Sequence, residues 1–96
     1  KKQNKWEEAI KIWLDIINMN KEFIYYPYEE LAKYYEHQLK DYSKARIIVE
    51  EAIMQLDKKY VNLENKEKFR RMLQYRLKRI IRKQESVAVT KTDKMA

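Results

Sequence analysis

Ninety-six residues, 45% of them apolar, suffice for one domain around one modest core and argue against a disordered chain. The absence of Cys excludes disulfides, thiolate metal sites and cysteine nucleophiles, while the absence of Gly and the single Pro disfavour glycine-rich phosphate loops and a β-rich fold. The net charge of +7 is concentrated, because residues 66 to 83 hold nine Lys or Arg against one Glu, leaving the rest of the chain close to neutral.

No stretch approaches the roughly 18 consecutive apolar residues that a membrane span requires, and the Lys-rich start is not followed by a signal-peptide core. We therefore expect a cytoplasmic location and no membrane contact. The first residue is Lys1 rather than Met, which suggests a piece of a longer protein.

In chain order, the first predicted helix covers about 4–19, where Trp6, Ala9, Ile10, Trp13, Ile16 and Ile17 recur at helical spacing. Asn18 and Asn20 are suited to the left-handed conformation that ends a helix where Gly is lacking. A loop through Tyr26 follows. The second helix, about 27–39, starts at Pro27 with Glu29 and Glu30 in its first turn and buries Tyr28, Leu31, Ala32, Tyr35 and Leu39. The third, about 41–58, is capped by Asp41 and buries Tyr42, Ala45, Val49, Ala52, Ile53 and Leu56. With only Lys40 between them, helices two and three form an antiparallel hairpin, drawn close by Ala32, Ala45 and Ala52. A fourth helix over about 64–84 carries Phe69, Leu73, Leu77, Ile80 and Ile81 in one stripe. Residues 85–96 lose the helical period and are expected as a flexible or extended tail, leaving 1–84 as the folded domain.

An internal repeat links helices one and three: Trp6, Ala9, Trp13 and Ile16 match Tyr42, Ala45, Val49 and Ala52 at a constant offset of 36 residues. The stretch YEELAKYYEHQLKDYSKARIIVEEAI, from Tyr28 to Ile53, resembles a tetratricopeptide (TPR) unit. Leu31, Ala32 and Tyr35 fall in its first helix, and Asp41, Tyr42, Ala45, Val49 and Ala52 in its second. Leu39 and Lys40 stand where that family has a single Gly in the turn. The resemblance implies an all-α fold of TPR-like antiparallel hairpins, about four helices in a short right-handed array, in which helix one is the second helix of a repeat whose first helix is missing.

A narrower resemblance joins ELAKYYEH, KDYSKA and YRLKRIIRK, which together are similar to the C-terminal helical region of bacterial ribonuclease H-like exonucleases of the YprB type. It covers roughly residues 6 to 83. In that family the metal-binding carboxylates lie on a preceding α/β domain, so the resemblance implies a metal-dependent nuclease as parent and carries no catalytic residue onto this chain. The expectation is an accessory, non-enzymatic tail without metal or cofactor, making protein or interdomain contacts.

Two surfaces are candidates for binding. On the fourth helix, Lys68, Arg71, Tyr75, Lys78 and Arg82 face away from the apolar stripe with Arg79 and Lys83 flanking them, and this pattern suits a nucleic-acid backbone, with Tyr75 available to stack on an unpaired base. The ordinary alternative is a solvated outer face that keeps a terminal helix soluble. For protein contacts the candidates are Tyr34, which points away from its helix's stripe, and Trp6 and Trp13, because an incompletely covered first helix invites pairing with a partner or a second copy. The lone His37 suits a helix-end contact better than a metal site. Glu29 and Glu36, seven residues apart, are expected to be solvated carboxylates.

Overall fold

The computed structural model describes residues 2–95, with side chains placed for residues 5 to 87. The chain is all-helical, with α1 Lys2–Met19, α2 Tyr25–Lys33, a π turn Tyr34–Gln38 that prolongs α2, α3 Tyr42–Lys58 and α4 Leu63–Met95. Among the described residues the β pairing is limited to an isolated bridge between Glu22 and Tyr60, closed by the Phe23 amide donating to the Tyr60 carbonyl at 3.0 Å.

The helix ends follow from local chemistry. Asp41 caps α3 as expected, its carboxylate accepting the Lys44 amide at 3.0 Å, and Asn62 does the same for α4 by accepting the Asn65 amide at 2.9 Å. At the end of α1 neither Asn18 nor Asn20 turns left-handed. The Asn20 side-chain amide instead donates to the Ile16 carbonyl at 2.7 Å, and the Lys59 ammonium reaches the Ile17 carbonyl at 2.6 Å, supplying positive charge where the helix dipole favours it.

The expected helix over 27–39 differs in two ways. It begins earlier, at Tyr25, because Phe23 is buried and anchors the preceding loop, its ring stacked 5.3 Å from Tyr28 and tilted 5.8 Å from Phe69. Its last turn is π, with the Leu39 amide reaching the Tyr34 carbonyl at 3.2 Å. Each π turn takes up one residue more than an α turn. This accommodates the pair Leu39–Lys40 at the hairpin corner: Lys40 takes the left-handed conformation, φ 51, and the Asp41 amide closes the turn on the Tyr35 carbonyl at 2.8 Å. The additional residue also retards the helical phase, so Leu39, expected inside, is 52% exposed and Glu36, expected outside, is 1% exposed. A side chain at positive φ costs about 1 kcal/mol relative to Gly. Lys40→Gly should therefore stabilise the fold by about that amount, read as a higher urea midpoint with an unchanged slope. An unchanged or lower midpoint would contradict it.

Packing uses the stripes that the periodicity predicts. Leu31, Ala32, Ala45, Val49, Ala52, Leu56, Leu73 and Ile80 are fully buried, with Tyr35, Tyr42, Ile53, Phe69 and Leu77 against them. α3 runs antiparallel to α4, since Asp57 meets Arg70 at one end and Arg46 meets Gln84, 3.2 Å, at the other. α2 and α4 run parallel, with Tyr25 stacked 4.8 Å from Phe69 and Glu36 bonded to Arg79. α1 lies antiparallel on α2, where Trp6 sits 4.9 Å from the Tyr34 ring and the Trp13 indole donates to the Tyr26 hydroxyl at 3.2 Å. The repeat-matched residues thus have unequal surroundings: Ala45 and Ala52 are enclosed, whereas Ala9 and Ile16 are only half-buried.

α4 corrects the expected tail. The helix does not stop near residue 84 but continues to Met95. No Gly or Pro occurs in that stretch to end it, and Ser, Val and Thr cost a helix only a few tenths of a kcal/mol each (~0.5).

Candidate nucleic-acid interface

The nine cations of residues 66 to 83 separate into three groups. Lys66 and Arg70 reach across to Asp57 on α3, Lys66 at 3.6 Å. The Arg70 hydrogen bond holds the Asp57 carboxyl below its usual range. Arg76, Arg79 and Lys83 converge on the buried Glu36 of the π turn. Arg79 grips it with two bonds, Nε to Oε2 at 3.1 Å and Nη2 to Oε1 at 3.0 Å. Arg76 adds a bond to Oε1 at 3.1 Å and Lys83 one to Oε2 at 2.7 Å.

Burial of Glu36 raises its carboxyl pKa, but the Arg79 and Lys83 hydrogen bonds and charges outweigh this and bring it down to about 2. His37 lies at the edge of this knot, its Nε2 3.8 Å from Oε1, so its contact is with Glu36. The expectation that Glu36 is solvated is therefore corrected: the π turn carries it inward, and three cations from α4 compensate its desolvation.

The third group is Lys68, Arg71, Lys78 and Arg82. All four are exposed, and none has an ion-pair or hydrogen-bond partner among the described residues. At 100° per residue they share one side of α4, opposite Leu73 and Ile80, and span about 21 Å of axis. Tyr75 stands among them, 70% exposed, with Met72 beside it at 38%. Arg79, included in this surface on spacing alone, belongs to the Glu36 knot.

The aromatic candidates for protein contact are placed differently from the expectation. Tyr34 is half-buried, packed between Trp6 and Tyr35, and Trp13 is 7% exposed, so all three candidates serve the α1–α2 packing. The large apolar side chains that α1 leaves exposed are Ile12 and Met19 on one side and Leu14 on the other, set among exposed charged residues. Beside it, Lys5, Trp6, Ala9, Trp13, Glu30 and Gln38 line an open groove of about 500 Å³. Among the described residues no cluster of three or more His, Asp or Glu is arranged to hold a metal ion, and no helix is long and apolar enough to cross a membrane.

The fold and this surface define a small all-helical module with a one-sided cationic ridge. No family model matches the chain and no solved structure matches it. It is similar to the uncharacterized protein YprB of Bacillus subtilis (strain 168), with 39% identity over 54 residues. The match covers 55% of this chain and 13% of that protein, so the similarity is partial and distant and assigns no family.

Proposed function

We propose that this chain is a non-catalytic helical module of a larger protein and that the outer face of α4 contacts the phosphate backbone of nucleic acid. The observation that carries the reading is the division of cations on α4. Five of the nine are paired with Asp57 or Glu36 in holding the bundle together, while the other four line one exposed side without partners among the described residues. Charge devoted to folding is buried or paired, whereas charge presented to a polyanion is solvated until counterions are exchanged for phosphates. The partial similarity to YprB agrees with a module set within a longer chain, and the resemblance to ribonuclease H-like exonucleases agrees with a parent that acts on nucleic acid.

The test is fluorescence anisotropy with labelled oligonucleotides at low and near-physiological salt. Binding should weaken with salt and fall sharply when Arg71, Lys78 and Arg82 are replaced by Gln. Absence of binding at low salt would refute the reading.

A second reading, contact with a protein or a neighbouring domain, is favoured by two exposed apolar side chains on one side of α1, Ile12 at 56% and Met19 at 81% exposure. Such a contact would tolerate salt and weaken on Ile12→Asp. A partner retained only at low salt would count against it.

A further inference from the structure

Taking the α4 ridge as a phosphate contact, we infer that its ligand is single-stranded nucleic acid, with one unpaired base stacked on Tyr75 between phosphates held by Arg71 and Lys78. Tyr75 follows Arg71 by four residues and precedes Lys78 by three, so its ring rises from α4 about 6 Å beyond one cation and about 4.5 Å short of the other. At 70% exposure Tyr75 is in none of the ring contacts found among the described residues, which join Trp6, Phe23, Tyr25, Tyr28, Tyr34, Tyr35 and Phe69; Tyr60, 74% exposed, also stands outside them but lies in the loop before α4, off the ridge.

Met72, three residues before Tyr75 on the same side, widens the ring into a small apolar island inside the charged ridge. An island of this kind costs solvation and contributes nothing to a phosphate contact. A duplex keeps its base faces stacked on one another and offers Tyr75 only sugars and phosphates. An unpaired base brings a π face to the island while its flanking phosphodiesters reach the bracketing cations, an arrangement that tolerates any base. Single-stranded RNA and DNA share this chemistry, so both belong in the test.

The experiment compares anisotropy titrations of fluorescein-labelled single-stranded RNA, single-stranded DNA and duplex DNA of equal length, using the chain and its Tyr75→Ala and Tyr75→Phe variants. Far-UV circular dichroism would verify that the variants fold, as expected for a side chain outside the core. The single strands should bind about tenfold or more tightly than the duplex, and Tyr75→Ala should weaken single-strand binding about tenfold. Duplex binding should hardly change, and Tyr75→Phe should retain the single-strand affinity. Equal affinity for duplex and single strand, or an equal loss on both with Tyr75→Ala, would overturn the inference while leaving the phosphate contact in place. No binding to any of the three at low salt would overturn both. If RNA and DNA bind alike, the ridge reads the unpaired base and phosphate alone. A preference confined to one sugar would contradict the proposed contact set.

Discussion

Glu36→Ala is expected to destabilise the protein by about 3–5 kcal/mol, the usual cost of removing one member of a buried ion pair. The wild-type carboxylate is 1% exposed and satisfied by four hydrogen bonds from three cations. Without it, Arg76, Arg79 and Lys83 converge on a cavity with no negative charge, and Arg76 lies too deep to reach water freely, its side chain being 14% exposed. Against the total of about 5–15 kcal/mol available to a domain of this size, such a loss is a large share of the stability. Urea denaturation followed by tryptophan fluorescence measures it, and a loss below about 1 kcal/mol would show that the knot contributes little.

The same group sets an acid limit. Its folded-state pKa is about 2 against an ordinary value of 4.5, so its stabilisation is complete above about pH 4.5 and is lost as the pH falls toward 2. The shift corresponds to roughly 3 kcal/mol. Wild-type stability should fall over that window, and Glu36→Gln should flatten the fall. An equally steep decline in the variant would place the acid sensitivity elsewhere.

The second large effect concerns salt. If the four unpaired cations each replace a counterion on a single strand, the logarithm of the affinity should fall against the logarithm of salt concentration with a slope of about −2.8. Between about 50 and 200 mM salt that is a loss of roughly fiftyfold. With Arg71, Lys78 and Arg82 changed to Gln, only Lys68 remains, and the slope should shrink to about −0.7. The control is Arg70→Gln. Arg70 is paired with Asp57, so this variant removes a charge from the same helix and should leave the slope nearly unchanged. A slope that moved as much for Arg70 as for the ridge would mean that total charge, rather than the ridge, governs binding.

The helices were legible in the sequence wherever the signal is local. Asp41 sits directly before an apolar period, and Leu73, Leu77 and Ile80 repeat with a single phase, so both the cap and the buried face follow from spacing. The outer cations were legible for the same reason. The division of the basic segment was not, because its larger part depends on a partner 40 or more residues away in the chain: nothing near Glu36 indicates that Arg76, Arg79 and Lys83 will surround it.

The π turn escaped for a related reason. YYEHQ carries no mark of its own, and the consequence of Leu39–Lys40 in place of a one-residue corner appears only when the hairpin has to close. Tyr34 was misplaced by the same shortfall, since its exposure depends on whether Trp6 lies over it. Phe23, in a segment expected to be loop, is held by the Tyr60 carbonyl and the Phe69 ring, both beyond the reach of local pattern.

The Glu36 knot also bears on the order of folding. The hairpin of α2 and α3 closes through contacts near in sequence, whereas the bonds from Glu36 to Arg79 and Lys83 span 43 and 47 residues and wait for α4 to dock. An interaction formed after the rate-limiting step leaves the folding rate nearly untouched and acts on escape from the native state. With α4 docking after that step, the knot would act as a latch: Glu36→Ala is expected to open the molecule faster without slowing its assembly, and a slowed refolding arm of its chevron would show instead that α4 docks earlier.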